Sequence, residues 1–219
     1  SVTAIYEPPQ DGSPTGVELL EDPHAETVAR VAKLLGLVQV GWIFTDLEGA
    51  ADGTVKYKRF TSAETSVLSS AEVIYAAMQQ CDFPNYVANK YSSTGTFGSK
   101  FVTCVVSGGV DNQVVLKGYQ ASNDAMALAR AECLVPSVHR MNEVCVRQSD
   151  KDHYVPEVLY DEKNEYGQVV TKKADPTIPL EFLFVGMEAT FSTGQSSAIT
   201  GVEPFVVENR AVIGELQGL

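Results

Sequence analysis

The chain has 219 residues, 44% of them hydrophobic, with a formal net charge of -12 and a pI near 4.6. That apolar content supplies a core for one larger or two modest globular domains. The acidic balance excludes nucleic acid and anionic membrane surfaces as partners, because phosphates repel it, and leaves basic protein surfaces open.

No apolar run reaches membrane-spanning length, and the first residues lack the basic and apolar regions of a signal peptide. The opening S-V-T-A-I-Y has no initiator methionine, so a piece of a longer protein is expected. Four cysteines (Cys81, Cys104, Cys133, Cys145) lie far apart without a C-x-x-C pair, beside only three histidines. That spacing fits reduced, mostly buried thiols better than a disulfide framework or a zinc finger.

In chain order, residues 2–6 read as a strand, followed by a Pro/Asp/Gly/Ser loop. Asp22-Pro23 opens a helix, the acid as N-cap and the proline at the first helical position. Val28, Val31, Ala32, Leu34 and Leu35 give it one apolar face, and Gly36 falls where a C-terminal cap belongs. His24, in its first turn, reads as a solvated histidine. Residues 39–47, Q-V-G-W-I-F-T-D-L, read as a strand burying Val40, Trp42 and Phe44 on one face. Residues 54–60 alternate apolar and basic side chains as a half-exposed hairpin arm.

Ser69 followed three residues later by Glu72 is a capping box. Behind it, Val73, Ile74, Ala77, Met78 and Cys81 form the buried stripe of a helix ended by Pro84. Residues 101–106, F-V-T-C-V-V, are expected at the centre of the sheet, with 114–119 returning as a hairpin after the turn at 108–112. Ser122 or Asn123 caps a helix rich in small residues (Ala125, Ala127, Ala129, Ala131) that runs to about Leu134.

Residues 136–152 are polar and without a clean period, and the expected domain joint falls there: 1–135, then 136–219. Beyond it, 154–160 reads as an edge strand with proline, 161–167 as a charged turn, 168–172 as a short strand, and 179–190 as a long buried strand. A loop at 192–201 precedes a last segment, 205–219, with helical character near Arg210.

Most catalytic motifs are missing. Neither Gly95-Thr96-Phe97-Gly98 nor Gly108-Gly109 opens a helix as a phosphate cradle would. A G-x-S-x-G elbow is absent, and His139 and His153 lack local support for cysteine chemistry. One pattern stands out. MPN-domain (JAMM) ubiquitin isopeptidases carry V-G-W-x-H-S-H-P on a core strand and L-S-x-x-D-V at a helix start. This chain, with V-G-W-I-F-T-D-L at 40–47 and L-S-S-A-E-V at 68–73, resembles them in frame. Their two zinc-binding histidines fall on Phe44 and Asp46, and their ligating aspartate on Glu72.

Catalytic zinc needs three protein ligands and an open position for water. Phe44 ligates nothing, and Asp46 with Glu72 would make only a weak oxygen site suited to a hard cation. The resemblance therefore implies a catalytically dead module with no catalytic residue, metal or cofactor, in which Glu72 serves as a helix cap. An active isopeptidase with unusual ligands and a purely structural scaffold remain as alternatives.

Further strings, A-I-Y-E-P-P-Q (4–10), G-W-I-F-T-D-L (41–47), F-G-S-K-F-V-T (97–103), Y-V-P-E-V (154–158) and V-E-N-R (207–210), resemble the nuclear protein localisation protein 4 family over the full chain, in a fungal-type or similar eukaryotic member. The resemblance implies an α+β (α/β) fold: an MPN-like mixed sheet flanked by helices, lacking its N-terminal part, followed by a smaller β-rich C-terminal domain. It implies a cofactor of the AAA+ unfoldase valosin-containing protein, paired with ubiquitin fusion degradation protein 1. Such a cofactor recruits polyubiquitinated substrates in proteasomal and endoplasmic-reticulum-associated degradation.

Its implied location is cytoplasmic and nuclear, peripheral to the endoplasmic reticulum and nuclear envelope, without membrane insertion. Ubiquitin chains are the implied ligand, one ubiquitin being held unfolded in a groove between the two domains. Ala127, Ala131 and Tyr154, at the joint, are the candidate groove residues; ordinary packing at an interdomain seam explains them equally well.

Overall fold

The computed structural model describes residues 2, 4–13, 16–49, 55–57, 68–88, 90, 92–108, 114–137, 140 and 142–187. Two compact units divide the chain: Ser1–Gln39 with Thr190–Leu219, and Val40–Ala189. The turn expected at 108–112 lies largely outside the described residues, as does most of the arm at 54–60. The loop at 192–201, the segment 205–219 and the string at 207–210 lie wholly outside them.

In the first unit the expected strand at 2–6 is not formed at its described residues. The strands are instead β1 (Gln10–Ser13) and β2 (Gly16–Leu19), antiparallel from Gln10↔Leu19 to Ser13↔Gly16. A strand exists only through its partner, and here the partner is local, residues 10–13 pairing with 16–19. Helix α1 (Ala25–Leu34) starts two residues later than read: His24 is the N-cap, and the Asp22 carboxylate accepts from the His24 amide at 2.8 Å.

The end of α1 follows the sequence signal closely. Gly36 takes φ +68°, its amide donates to the Lys33 carbonyl, and the Leu37 amide donates to the Ala32 carbonyl. Those two bonds form a Schellman motif, in which glycine occupies the left-handed position at no steric cost.

The second unit is built on a five-stranded mixed sheet. Strand β3 (Gly41–Gly49) pairs antiparallel with β4 (Val55–Tyr57) and parallel with β5 (Val102–Gly108). The parallel pairing needs a crossover, and α2 (Ser70–Asp82) lies within it. β5 then pairs antiparallel with β6 (Val114–Ala121), and β6 with the late strand β12 (Phe184–Met187). The order β12-β6-β5-β3-β4 puts β5 at the centre, as its run of β-branched residues predicts.

After β6 comes α3 (Asn123–Arg130), N-capped by Ser122, whose hydroxyl accepts from the Ala125 amide at 3.1 Å. This helix stops four residues short of Leu134. Glu132 turns the chain into the left-handed region at φ 53°, its amide donating to Ala129 O and the Cys133 amide to Leu128 O. The geometry is that of α1's end, with glutamate in the glycine position.

Residues 134–179 add an antiparallel sheet of β7 (Leu134–Val135), β8 (Glu143–Val146) and β11 (Thr177–Pro179), ordered β11-β8-β7. A separate hairpin pairs β9 (Leu159–Lys163) with β10 (Val169–Lys173). Strand β8 falls inside the stretch read as polar and irregular. The edge strand read at 154–160 begins only at Leu159.

The long buried strand read at 179–190 is broken. A single 3-10 turn, Leu180–Phe182, separates β11 from β12, and Val185 and Met187 on β12 are exposed. One apolar cluster joins Leu68, Val73, Ala77, Val105 and Tyr119 to Val144, Val158, Ile178, Leu180 and Leu183, and so spans both sides of residue 135. The architecture is α+β.

Candidate functional site

The end of β3 and the start of α2 carry the positions singled out by sequence. Side chains alternate across a strand, so Trp42, Phe44 and Asp46 share the sheet face that β5 continues with Thr103, Val105 and Ser107. Val40 precedes the strand and is 50% exposed, so it is not part of that buried face. The next residue, Gly41, is needed where it stands: a Cβ there would lie 2.3 Å from the Val102 carbonyl oxygen across the parallel ladder.

Phe44 is a packing residue. Its ring stacks on Trp42 at 4.8 Å and 20°, and Trp42 meets Tyr75 of α2 edge-on at 4.9 Å. The indole N–H donates to Thr103 Oγ1 at 2.8 Å, which fixes Trp42 and satisfies a fully buried hydroxyl. Burial pushes the Tyr75 phenol above its ordinary pKa, with Asp82 adding to the rise. Two strands away, burial alone lifts Tyr119 to about 12.

Asp46 is 4% exposed and stands in register with Ser107, whose hydroxyl donates to the Asp46 backbone carbonyl at 3.4 Å. Glu72 closes the capping box: its Oε2 accepts from the Ser69 amide at 2.8 Å, while the Ser69 hydroxyl accepts from the Glu72 amide at 3.3 Å. Glu72 thus caps the first turn of α2, as its spacing from Ser69 predicts.

Among the described residues no group of three or more His, Cys, Asp or Glu is placed to hold a metal ion. With a phenyl ring, a buried carboxylate and a capping carboxylate at the three positions, the donor set does not fit catalytic zinc. His153 lies beyond Tyr75, Trp42 and Phe44 in the chain, on a loop where its amide donates to Asp150 Oδ1 at 2.7 Å.

The candidate groove residues fall on two segments. Ala127 is half-buried on α3 and Ala131, one turn on, is its exposed C-cap; the Ala131 amide donates to Ala127 O. Tyr154 lies on the segment before β9 and is 81% exposed. The α2 stripe is formed by Val73 and Ala77, with Ile74 and Cys81 half-buried; Met78 is exposed instead. The four cysteines are free thiols, Cys133 buried and the others half-buried, and burial raises the pKa of Cys81, Cys104 and Cys133.

Two polar links escape a reading by sequence. Gln80, on the buried side of α2, donates through Nε2 to Ala121 O at 3.0 Å and to Met126 Sδ at 3.4 Å; its Oε1 accepts from the Ala121 amide at 2.6 Å. Ser122, besides capping α3, donates to Phe182 O at 3.1 Å, while its amide donates to Leu183 O. A glutamine one turn beyond Ala77 on a buried stripe was the available signal for the first.

A five-stranded mixed sheet with a helix crossover defines an α+β protein. The NPL4 family model matches residues 1–219, the whole chain, and the chain belongs to the NPL4 family. It is 45% identical over 219 residues to the human nuclear protein localization protein 4 homolog, covering 99% of this chain and 35% of that protein. Nuclear protein localization protein 4 of Scheffersomyces stipitis is 40% identical over 220 residues, covering 100% and 37%. Homolog 1 of Caenorhabditis elegans is 40% identical over 230 residues, covering 100% and 42%. The chain spans between a third and about two-fifths of the length of these relatives.

Proposed function

We propose that the chain is the non-catalytic, substrate-receiving part of a cofactor of the AAA+ unfoldase valosin-containing protein, acting with ubiquitin fusion degradation protein 1. It binds polyubiquitin and holds an unfolded ubiquitin segment between an MPN-like part, residues 1–135, and a C-terminal part, residues 136–219. The observation that carries the reading is the fate of the three donor positions. Phe44 is stacked on Trp42, Asp46 is buried, and Glu72 is committed to Ser69, on a scaffold whose motifs resemble those of ubiquitin isopeptidases. A scaffold of that kind without its metal keeps ubiquitin as ligand and loses the hydrolysis.

Membership of the NPL4 family supports the same reading, as do relatives whose names concern nuclear protein localization. Their names agree with work connected to the nucleus, and we place the chain also in the cytoplasm and at the periphery of the endoplasmic reticulum. An acidic chain of net charge -12 suits basic protein partners and not nucleic acid. An extended ubiquitin segment would be captured through backbone hydrogen bonds and shallow apolar contacts, which tolerate sequence.

The test is a pull-down of this chain against ubiquitin chains and against the unfoldase in separate arms. Direct capture of ubiquitin chains is the expected result, and its absence leaves only a structural scaffold. Stoichiometric zinc by elemental analysis together with chelator-sensitive cleavage of the chains would replace the reading with that of an isopeptidase.

A further inference from the structure

Between β8 and β9 the chain is tied into a compact loop over residues 149–155. The Ser149 hydroxyl donates to the Val155 carbonyl at 3.1 Å and accepts from the Val155 amide at 2.9 Å. The Asp150 amide donates to the His153 carbonyl at 3.0 Å, and its Oδ1 accepts from the Asp152 and His153 amides at 2.9 and 2.7 Å. Those two amides hold the Asp150 carboxyl below its ordinary pKa.

Tyr154 stands between the two tied residues. On one side, His153 has its amide on Asp150 and its ring Nε2 shielded from solvent. On the other, Val155 has both backbone groups on Ser149 and its side chain packed against the core cluster. Pro156 follows, fixing its own φ and keeping Val155 in the extended region. With both neighbours held, the Tyr154 side chain points away from the surface and is 81% exposed. An exposed aromatic alone is ordinary. Here the backbone on both sides of it is fixed by polar side chains upstream.

Affinity falls with the fraction of molecules whose binding loop is in the competent form, and a loop ordered in advance removes that loss. We propose that Ser149 and Asp150 are positioning residues for the capture of extended chain: they tie the backbone on both sides of Tyr154 and so hold its ring out for the bound segment. The inference rests on the reading that Tyr154 meets an extended ubiquitin segment, and deepens it. It adds two residues that act through Tyr154, their hydroxyl and carboxylate being committed to the loop's own backbone.

The test is photocrosslinking of this chain to a ubiquitin peptide carrying a photoreactive group, titrated to give an apparent Kd, with amide hydrogen exchange and melting curves alongside. Ser149→Ala removes both bonds to Val155, and Asp150→Ala removes the acceptor for Asp152 and His153. Ser149→Thr and Asp150→Asn keep the bonding groups. A typical net hydrogen bond is worth a factor of roughly two to ten in an equilibrium. Each alanine variant is therefore expected to bind about two- to tenfold more weakly, with faster exchange at the Val155 or His153 amide, while the threonine and asparagine variants bind as wild type does. In a Tyr154→Ala background the alanine substitutions are expected to add no further loss, whereas a role in general stability would add to it. Unchanged affinity in both alanine variants, or the same loss with and without Tyr154, overturns the positioning role and leaves the ubiquitin reading standing. No crosslinking by the wild-type chain overturns both.

Discussion

Gln80→Leu is the sharpest test of how the second unit is held together. Leucine keeps the volume nearly constant, so the cavity penalty of a truncation is avoided. What is lost is the amide. In the native protein Gln80 is 1% exposed and supplies both partners of Ala121, accepting from its N–H and donating to its C=O. The ladder between β6 and β5 ends at Tyr119↔Thr103, so no β5 residue is in register with Ala121 to replace the amide; its strand partner, Phe184, belongs to β12 on the other edge of β6.

Each buried polar group left without a partner costs about 1–3 kcal/mol. Two such groups give roughly 2–6 kcal/mol, less if water reaches Ala121. At roughly 2–4 °C per kcal/mol for a chain of this size, the melting temperature should drop by about 4–24 °C. Urea unfolding with an unchanged slope measures the free energy, and hydrogen exchange at the Ala121 amide locates it. A variant within about 0.5 kcal/mol of wild type would refute the reasoning, because surface substitutions already scatter that far.

Glu132→Gly should stabilise the protein by about 0.5–1 kcal/mol, since glycine takes the left-handed position after α3 without strain; a neutral or negative change in urea unfolding counts against that assignment. Ser69→Ala should cost about 1 kcal/mol by breaking the capping box, and Ser69→Gly only a few tenths; equal losses in the two variants would mean the box is not what stabilises α2. Ala131→Glu and Tyr154→Glu should weaken photocrosslinking to an unfolded ubiquitin segment with little change in melting temperature, both side chains being exposed; full crosslinking in both variants would remove them from the groove. The Glu143 carboxyl is held below its ordinary pKa by the Thr177 hydroxyl and then by Arg140. A depressed carboxyl pKa stabilises the fold above the unfolded value and is lost as pH falls through the folded one. Thr177→Val should therefore raise the Glu143 titration midpoint seen by NMR and flatten the loss of stability on acidification; an unmoved midpoint would discard the Thr177 contact.

What was legible in the sequence was local. The capping box at Ser69 and Glu72 and the Gly36 stop each depend on residues within one turn. The β5 and β6 strands announce themselves through β-branched runs and alternation. The illegible parts depend on partners far along the chain. β8 is four residues of E-V-C-V that become a strand only because β7 and β11 flank it. The apolar run from Pro179 looks continuous, yet the Leu183 carbonyl is drawn to Ser122 and the chain turns there.

At the candidate site the sequence identified the residues and their substitutions. It could not show that Phe44 had found a ring to stack on, nor that Asp46 would sit buried beside Ser107. Gln80 was silent for the same reason: its partner is 41 residues away.

Strand β12 arrives late. It completes the sheet by pairing with β6, from which the chain has meanwhile built α3, a second small sheet and a hairpin. Until residues 184–187 have emerged, one side of β6 is an open row of amides and carbonyls, the surface that recruits stray strands in unfinished or truncated chains. Leu180 and Leu183, which fill the core beneath, come at the same moment. A premature stop anywhere between 136 and 183 would therefore yield a sticky, hollow intermediate and not a shorter working module. The unit from residue 40 onward is committed as a whole or left open to aggregation.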